Sequence, residues 1–488
     1  MSDDPPAPFI PPPTEDERPR DEETVSAFLR VFGTREYFRL WLAQVASSTG
    51  DWLGLIAILA IAARISDNSG AALSLVMGAR VVPGFFLATL GGVLIDRLDR
   101  RKVMVFCDIG RASLLAVLPF AESLLGLVLI SFGLEILTLL WGPAKDASVP
   151  NLVDREHLTS VNTVTLVASY ATIPVASILF TLLAALAAWL GGFDALSGLR
   201  LDQEVLALLV DACSFLISAA IVWRLPIPHE REPGTRRVEW TQTLRDIREG
   251  MSFIARNPRV RGVIVGLGLG LVGAGAMIPL GPVFAREGLG GDSATFGVLM
   301  TALGLGAAIG VIALLAFQRR LPRETVFELA VMGTGLFLII GAALSSLAPA
   351  AFFIAIVGAC AGTSYVTGFT MLQENVHDEL RGRTFATLYT VIRLCLLLSL
   401  VVSPLWADFW DWFVGLFTDQ KTVSIGGTRY AFPGSRLALW GGGVMTLAGG
   451  LWARHSVQRA ERRARAEAAD ADHADPETSA DPEPGAAT

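Results

Sequence analysis

The sequence predicts an all-α membrane protein whose twelve transmembrane helices form two pseudo-symmetric six-helix bundles. Three observations lead to this prediction. Of the 488 residues, 52% are hydrophobic and only 17% are charged, so the chain is far more apolar than a soluble globular protein. The apolar residues form continuous runs of about 20, the length that a helix needs to cross the hydrocarbon core. A polar linker divides these runs six and six, which predicts a duplicated unit.

Twelve apolar runs are long enough to be membrane spans. Helices are favoured over a barrel, because barrel strands are about ten residues long and alternate hydrophobic with polar side chains. The predicted spans, numbered in chain order, cover residues 40–63, 71–94, 103–122, 124–143, 159–190, 203–225, 260–285, 292–317, 325–347, 349–371, 384–407 and 436–453.

The sequence divides into five segments. Residues 1–35 are predicted to be a disordered tail with a short amphipathic segment, because they are rich in Pro and acidic residues and have little apolar surface to bury. Residues 36–225 and 259–454 hold the two bundles. The linker, residues 226–258, is predicted to carry an amphipathic helix on the inner leaflet. Residues 455–488 form a basic and then acidic disordered tail, whose Arg cluster is expected to contact anionic lipids.

Lys and Arg in the loops predict the orientation, since short cytoplasmic loops carry an excess of both. The cations follow even-numbered spans, and the clearest groups are Arg97, Arg100, Arg101 and Lys102 after span 2 and Arg319, Arg320 and Arg323 after span 8. Both termini are therefore predicted to be cytoplasmic. We expect a monomeric, multi-pass protein of the cell membrane.

Charged side chains inside a span are costly, so each one is a candidate functional residue. Asp51 and Arg80 lie near mid-depth in neighbouring spans and are predicted to pair. This pair is either a static contact between helices or a site whose affinity for protons changes when the cation moves away. Glu135 and Asp211 have no evident partner in the sequence. Either one is a candidate proton or substrate site, with Arg393 from the second half as the counter-charge.

Asp108 and Arg111 stand three residues apart in span 3, which brings them to one face of a helix. We predict a local ion pair that satisfies both groups. All four cysteines lie in apolar runs, so a disulfide framework is not expected.

Other patterns exclude several classes of function. The glycines of GLGLGLVGAG lie inside span 7 and indicate close helix packing rather than a nucleotide site. The sequence has no G-x-x-x-x-G-K-[ST] motif for ATP hydrolysis. All five histidines fall in loops or tails, so no zinc site or histidine-based catalysis is expected. The chain is therefore not predicted to be an enzyme, and no cofactor, metal or nucleic acid is predicted to bind it.

The loop between spans 2 and 3 carries the most specific motif. With this loop, twelve spans and the six-plus-six division, the chain resembles the major facilitator superfamily of secondary transporters. The superfamily motif G-x-x-x-D-R-x-G-R-R is matched here by Gly92, Asp96, Arg97, Arg100 and Arg101. Asp99 stands where the motif usually has its second Gly. The resemblance implies the major facilitator fold and a gate between the two halves, held by Asp96 and the loop cations.

Three further stretches resemble one branch of that superfamily, the enterobactin-exporter-like and multidrug-efflux-like proteins. They are GPAKDASVPNLVDREHL, ALLVDACSFLISAAIVWRLP and TMLQENVHDELRGRTFA. The branch implies proton-coupled export of small amphipathic molecules by alternating access between the halves. The antiporter pattern of span 5 is not kept, because the sequence reads SYATIPVASILF. Lipid or lysolipid flipping, import, and a non-transporting membrane scaffold remain as alternatives.

Overall fold

The computed structural model consists almost entirely of helices. It describes residues 31–95, 98–121, 123–153, 157–190, 202–227, 251–252, 254–317, 322–375, 390–417, 422–425 and 428–474. Asp96, Arg97 and most of the amphipathic helix predicted in the linker lie outside these ranges.

Twelve helices follow the twelve predicted spans. They are α1 Arg35–Ile65, α2 Gly70–Ile95, α3 Arg100–Val117, α4 Leu124–Ser148, α5 Leu158–Leu190, α6 Gln203–Trp223, α7 Pro258–Gly275 with its continuation Met277–Val283, α8 Ser293–Phe317, α9 Arg323–Ala343, α10 Leu347–Asn375, α11 Thr390–Gly415 and α12 Gly434–Ala474. In the described part of the chain, nine of them are long and apolar enough to cross a membrane. Shorter apolar segments lie in α2 and α5.

Polar side chains begin several of these helices by accepting the backbone N–H groups that the first turn leaves unpaired. Thr34 accepts from the N–H of Tyr37 at the start of α1, and Ser123 accepts from Gly126 at the start of α4. The Thr34 hydroxyl also donates to the carbonyl of Leu152, at 2.7 Å. This bond ties the first helix to the turn after α4.

The same pairing of helices occurs in both halves. In the first half α1 and α3 pack on α6, while α2 and α3 pack on α4; in the second half α7 and α9 pack on α12, while α8 and α9 pack on α10. At the crossing of α7 and α12, the backbones touch, because the carbonyl of Gly442 occupies the position that a Cβ on Gly273 would need. The repeated pairing confirms the predicted division into two pseudo-symmetric bundles.

The halves meet where α2 packs on α11 and where α5 packs on α8. The Glu204 carboxylate accepts a hydrogen bond from the Ser293 hydroxyl at 2.6 Å, and the hydroxyls of Thr181 and Thr301 lie 3.2 Å apart. These contacts lie toward the end of the bundle where α1 ends and α2 begins. We call it the closed end.

Two helices contain π-helical turns. One ends α7 at Phe284–Gly288, and the other interrupts α11 at Leu398–Val402. Such turns place one extra residue in the helix and change which carbonyls are available as acceptors. The π turn of α11 lies where this helix contacts the first half.

Predicted span 11 ends at residue 407, but the helix observed there is longer. Helix α11 continues to Gly415, so Trp410 and Trp412 belong to it. An antiparallel hairpin follows, with β1 Thr422–Ile425 paired to β2 Thr428–Ala431. The aromatic side chains stack along one another at helical spacing, as with Phe409 and Phe413 at 6.3 Å, which favours helix over loop. Helix α12 also continues through the basic part of the tail.

Candidate functional site

A buried ion pair lies in the middle of the first bundle. Arg111 donates from Nη2 to the carboxylate of Asp108, one turn earlier in α3. Asp108 is 0% exposed and Arg111 is 1% exposed. The contact predicted from the three-residue spacing is therefore present, and it is buried from solvent.

Two further donors hold the Asp108 carboxylate. The Ser218 hydroxyl of α6 donates to Oδ2 at 2.8 Å, and the Trp141 indole N–H of α4 donates to the same oxygen at 3.3 Å. A buried carboxylate is stable as an anion only when hydrogen bonds and opposite charge replace its water. Asp108 therefore acts as the common acceptor for three helices, α3, α4 and α6.

The Arg111 guanidinium reaches beyond its local partner to α1. Its Nη1 lies 3.8 Å from Oδ2 of Asp51, and its Cζ lies 4.0 Å from the ring centroid of Phe215. In the described residues the cation within 4.0 Å of the Asp51 carboxylate is Arg111, and no ion pair within that distance joins Asp51 to Arg80. A guanidinium can pair along two edges, and Arg111 uses one for each carboxylate. Arg80 still acts on Asp51 electrostatically.

Asp211 fills a recess in the surface of α1. Its two carboxylate oxygens occupy the positions that Cβ atoms on Gly50 and Gly54 would need, so only glycine fits at either place. Ser214 lies one turn away, with its hydroxyl 3.5 Å from Oδ1 of Asp211. Asp211 is 2% exposed, whereas the side chain of Asp51 is 32% exposed. Two carboxylates thus lie at the same stretch of α1, that of Asp211 buried and that of Asp51 partly exposed.

Glu135 of α4 and Arg393 of α11 complete this group of charges. The charges that act on Glu135 include those of Arg80, Asp51 and Arg393. Arg393 belongs to the second half, as expected for a counter-charge from across the interface. We call the whole set the ionic cluster, namely Asp51, Arg80, Asp108, Arg111, Glu135, Asp211 and Arg393.

Several partners in this site were missed at the level of sequence. Trp141, Ser218 and Phe215 look like ordinary span residues, since nothing in their spacing shows that they face a charge. Lys145 was assigned to a loop, yet it lies in α4 and its Nζ is 3.3 Å from the Gln44 side-chain oxygen of α1. The paired glycines in STGDWLG, on either side of Asp51, were the one available signal of a close contact.

The motif loop is only partly within the described residues. Gly92 lies in α2, and Asp99 accepts from the backbone N–H of Lys102 as the N-cap of α3. Its φ of -67° needs no glycine. Arg100 donates to the carbonyl of Ala147 at 2.8 Å, and the Arg101 guanidinium lies 5.8 Å from the Trp223 ring. Both arginines therefore contact their own half.

No group of three or more His, Cys, Asp or Glu in the described ranges is arranged to hold a metal ion. The ionic cluster combines carboxylates with guanidinium groups, and such a set suits charge pairing and proton binding better than coordination of a cation.

A family of transmembrane secretion effectors matches residues 29–397 of the chain. Among relatives, macrolide efflux protein A of Streptococcus pyogenes is 24% identical over 76% of this chain and 89% of its own length. The putative bacilysin exporter BacE of Bacillus subtilis is 26% identical over 79% of this chain and 94% of its own length. The uncharacterized MFS-type transporter YfiS of Bacillus subtilis is 27% identical over 45% of this chain, which spans about half (49%) of that relative.

Solved structures share the fold. The nucleoside transporter NupG superposes with a TM-score of 0.60 at 12% identity, covering 87% of this chain and 99% of that one. A bacterial homologue of the human lysosomal transporter Spinster, in its inward-facing and occupied conformation, gives 0.64 at 16% identity, covering 87% and 97%. At these identities the likeness concerns the fold alone, which is that of the major facilitator superfamily.

Proposed function

The chain belongs to the transmembrane secretion effector family of the major facilitator superfamily, and from this membership we propose that it exports small amphipathic molecules in exchange for protons. Members of this superfamily are membrane transporters and not enzymes. The finer statement, proton-coupled export, depends on the ionic cluster and on the way the two halves meet.

The observation that carries the proposal is an excess of carboxyl groups in the ionic cluster. It contains four carboxyl groups and three guanidinium groups, namely Asp51, Asp108, Glu135 and Asp211 with Arg80, Arg111 and Arg393. One bound proton makes the set neutral. Because an uncompensated charge is expensive inside a membrane protein, the cluster is suited to hold one proton and to lose it when another cation arrives or the surroundings change.

We assign the exchangeable proton to Asp51. Its side chain is 32% exposed, whereas Asp211 is 2% exposed, so Asp51 is the more accessible of the two neighbouring carboxyl groups. Asp211 lies beside it and is buried, and two neighbouring carboxylates repel each other in a poorly solvated site. When Asp51 loses its proton, the Arg111 guanidinium stabilises the new charge from 3.8 Å. Asp108 keeps Arg111 in position for this exchange.

The contacts between the halves support alternating access. They lie at the closed end, which faces outside the cell if both termini are cytoplasmic as the loop cations predict. We propose that in this arrangement the two halves separate toward the cytoplasm. In our scheme, substrate enters from the inside and displaces the proton, and the charge change shifts the equilibrium between the two conformations. Exterior protons reach Asp51 after the closed end opens.

The relatives support the substrate class. Two of them are named for exporting a macrolide and bacilysin, both small molecules. We carry over to this chain only the class, small amphipathic compounds moved out of the cell. Anionic lipids are proposed to bind the basic part of α12 and the linker at the cytoplasmic surface.

The motif loop is proposed to be the gate opposite the closed end. Gly92, Asp96, Arg97, Arg100 and Arg101 would hold this gate shut when the protein opens to the outside. In the inward-open arrangement the gate is released, which agrees with Arg100 and Arg101 contacting their own half.

Proteoliposomes with an imposed pH gradient test the proposal. We expect purified protein to drive accumulation of a labelled macrolide only when the gradient is present, and Asp51→Asn to abolish this dependence. Asp202→Asn is the matched control, because the Asp202 carboxylate forms an exposed pair with Arg64 at the surface. The Asp202→Asn variant is expected to transport normally. Macrolide flux that ignores the gradient, or that survives Asp51→Asn unchanged, would remove the coupling assignment.

A further inference from the structure

A carboxylate of the second half caps the first turn of a helix in the first half. Oδ1 of Asp408, in α11, accepts from the backbone N–H of Gly70 at 2.8 Å, and Oδ2 accepts from the N–H of Ala71 at 2.8 Å. These N–H groups begin α2, where no earlier carbonyl within the helix is available to them. The partial positive charge at this helix end also favours an anion.

The backbones of the two helices approach closely around this contact. The carbonyl of Pro404 occupies the position that a Cβ on Gly70 would need. One turn deeper, the Ser74 hydroxyl donates to the carbonyl of Val401 at 2.6 Å. Val401 lies in the π turn of α11, where the altered hydrogen-bonding pattern makes a carbonyl available to a partner outside the helix. Small side chains on α2 thus meet exposed acceptors on α11.

We propose that Asp408 is a positioning residue of the transport cycle, which holds α2 against α11 while the closed end is shut. Opening this end requires both N–H groups of α2 to exchange the carboxylate for water. The interaction therefore favours the conformation described here over the opposite one. The inference rests on the alternating-access part of the proposed function and is independent of proton coupling and of the substrate.

The chain supplies a matched control for this interaction. Asp411, one turn after Asp408, accepts from the N–H of Gly434 at 2.7 Å and so caps the start of α12. Gly434 also has a carbonyl, that of Ala407, in its Cβ position. The two aspartates therefore make the same kind of contact, but Asp411 makes it within the second half. Of the two aspartates, only Asp408 joins the halves.

The test measures the distance across the closed end by electron-spin resonance, with nitroxide labels on cysteines at Leu125 and Ser346. These positions are exposed and lie at the same end of different halves. The native cysteines are first replaced by alanine, namely Cys107, Cys213, Cys360 and Cys395. We expect Asp408→Ala to raise the ratio of the long-distance to the short-distance population about fivefold, since loss of a cap costs about 1 kcal/mol. Asp411→Ala is expected to leave the ratio unchanged.

Asp408→Asn provides a second variant, because its amide retains one acceptor oxygen in place of two. We expect a ratio between those of the parent and Asp408→Ala. An unchanged ratio in both Asp408 variants, or an equal shift in Asp411→Ala, would overturn the assignment. A purely structural role would lower thermal stability without creating the long-distance population. The measurement uses neither substrate nor a pH gradient, so failure of the coupling mechanism would leave its result intact.

Discussion

Removing the guanidinium at Arg111 is the most direct test of the ionic cluster. Arg111→Met keeps a side chain of similar length but removes the cation that lies between Asp108 and Asp51. Taking away one partner of a buried ion pair costs about 3–5 kcal/mol, because the other charge is left without compensation. The lost contact with the Phe215 ring, at 4.0 Å, adds up to about 2 kcal/mol when desolvated. We expect Arg111→Met to be severely destabilised.

A double-mutant cycle separates the charge effect from the packing effect. Asp108→Asn alone is expected to cost about 1.5–3 kcal/mol, the value of a hydrogen bond to a charged group, since Arg111 keeps Asp51 as a partner. The double variant Arg111→Met, Asp108→Asn removes cation and anion together. It is expected to recover about 0.5–3 kcal/mol relative to the sum of the single costs, the range found for directly interacting residues.

The free energy of unfolding is measured by titration with a denaturing detergent. Arg64→Met is the control, because the pair of Arg64 with Asp202 is about half exposed on both sides and such pairs contribute little. Additive costs in the double variant would contradict the direct interaction. A cost for Arg64→Met equal to that for Arg111→Met would contradict the role of burial.

Three further predictions, two of them with a control variant, test other parts of the structure. Gly54→Ala is expected to displace the Asp211 carboxylate packed against it, which lowers the free energy of unfolding by about 1–3 kcal/mol as in other overpacked sites. Gly78→Ala is the control, because no atom lies within 4 Å of its Cβ position. This control is expected to be neutral in the same detergent titration. Ser218→Ala is expected to cost about 1.5–3 kcal/mol through loss of a donor to a buried anion, read from the detergent midpoint. Asp96→Asn is expected to impair transport without loss of protein from the membrane, while Asp99→Gly is tolerated because glycine at an N-cap costs only a few tenths of a kcal/mol. The reverse outcome would remove the gate assignment.

The fold was predictable because a bilayer permits few kinds of backbone structure to span it. Apolar runs of about 20 residues define the helices, and the number of runs with the polar linker defines two bundles. The end of α11 was not predictable in the same way. Predicted span 11 stops at residue 407, just before DFWDWFVG, but Asp408 and Asp411 of this stretch are satisfied by the N–H groups of other helices.

The members of the site were predictable, but their partners were not. Every charged residue of the ionic cluster stands out in an apolar span, since the membrane makes charge rare. Which charges meet depends on the rotation of each helix about its axis, and a single sequence does not fix this angle. Asp51 was assigned to Arg80 by depth alone, whereas the packing of α1 beside α6 brings it to Arg111. The recess for Asp211 depends on two glycines whose importance appears only when α6 lies against them.

The two bundles share a pairing scheme but differ where their first and sixth helices cross. In the first bundle a carboxylate separates the helices, and in the second the backbones of Gly273 and Gly442 touch directly. The contact beside the proposed proton site and the closest backbone packing are therefore made by different residues in different halves of the chain. A hybrid that keeps residues 36–225 and Arg393 and takes the rest of its second bundle from a relative is expected to retain its response to a pH gradient while changing the compounds that it transports.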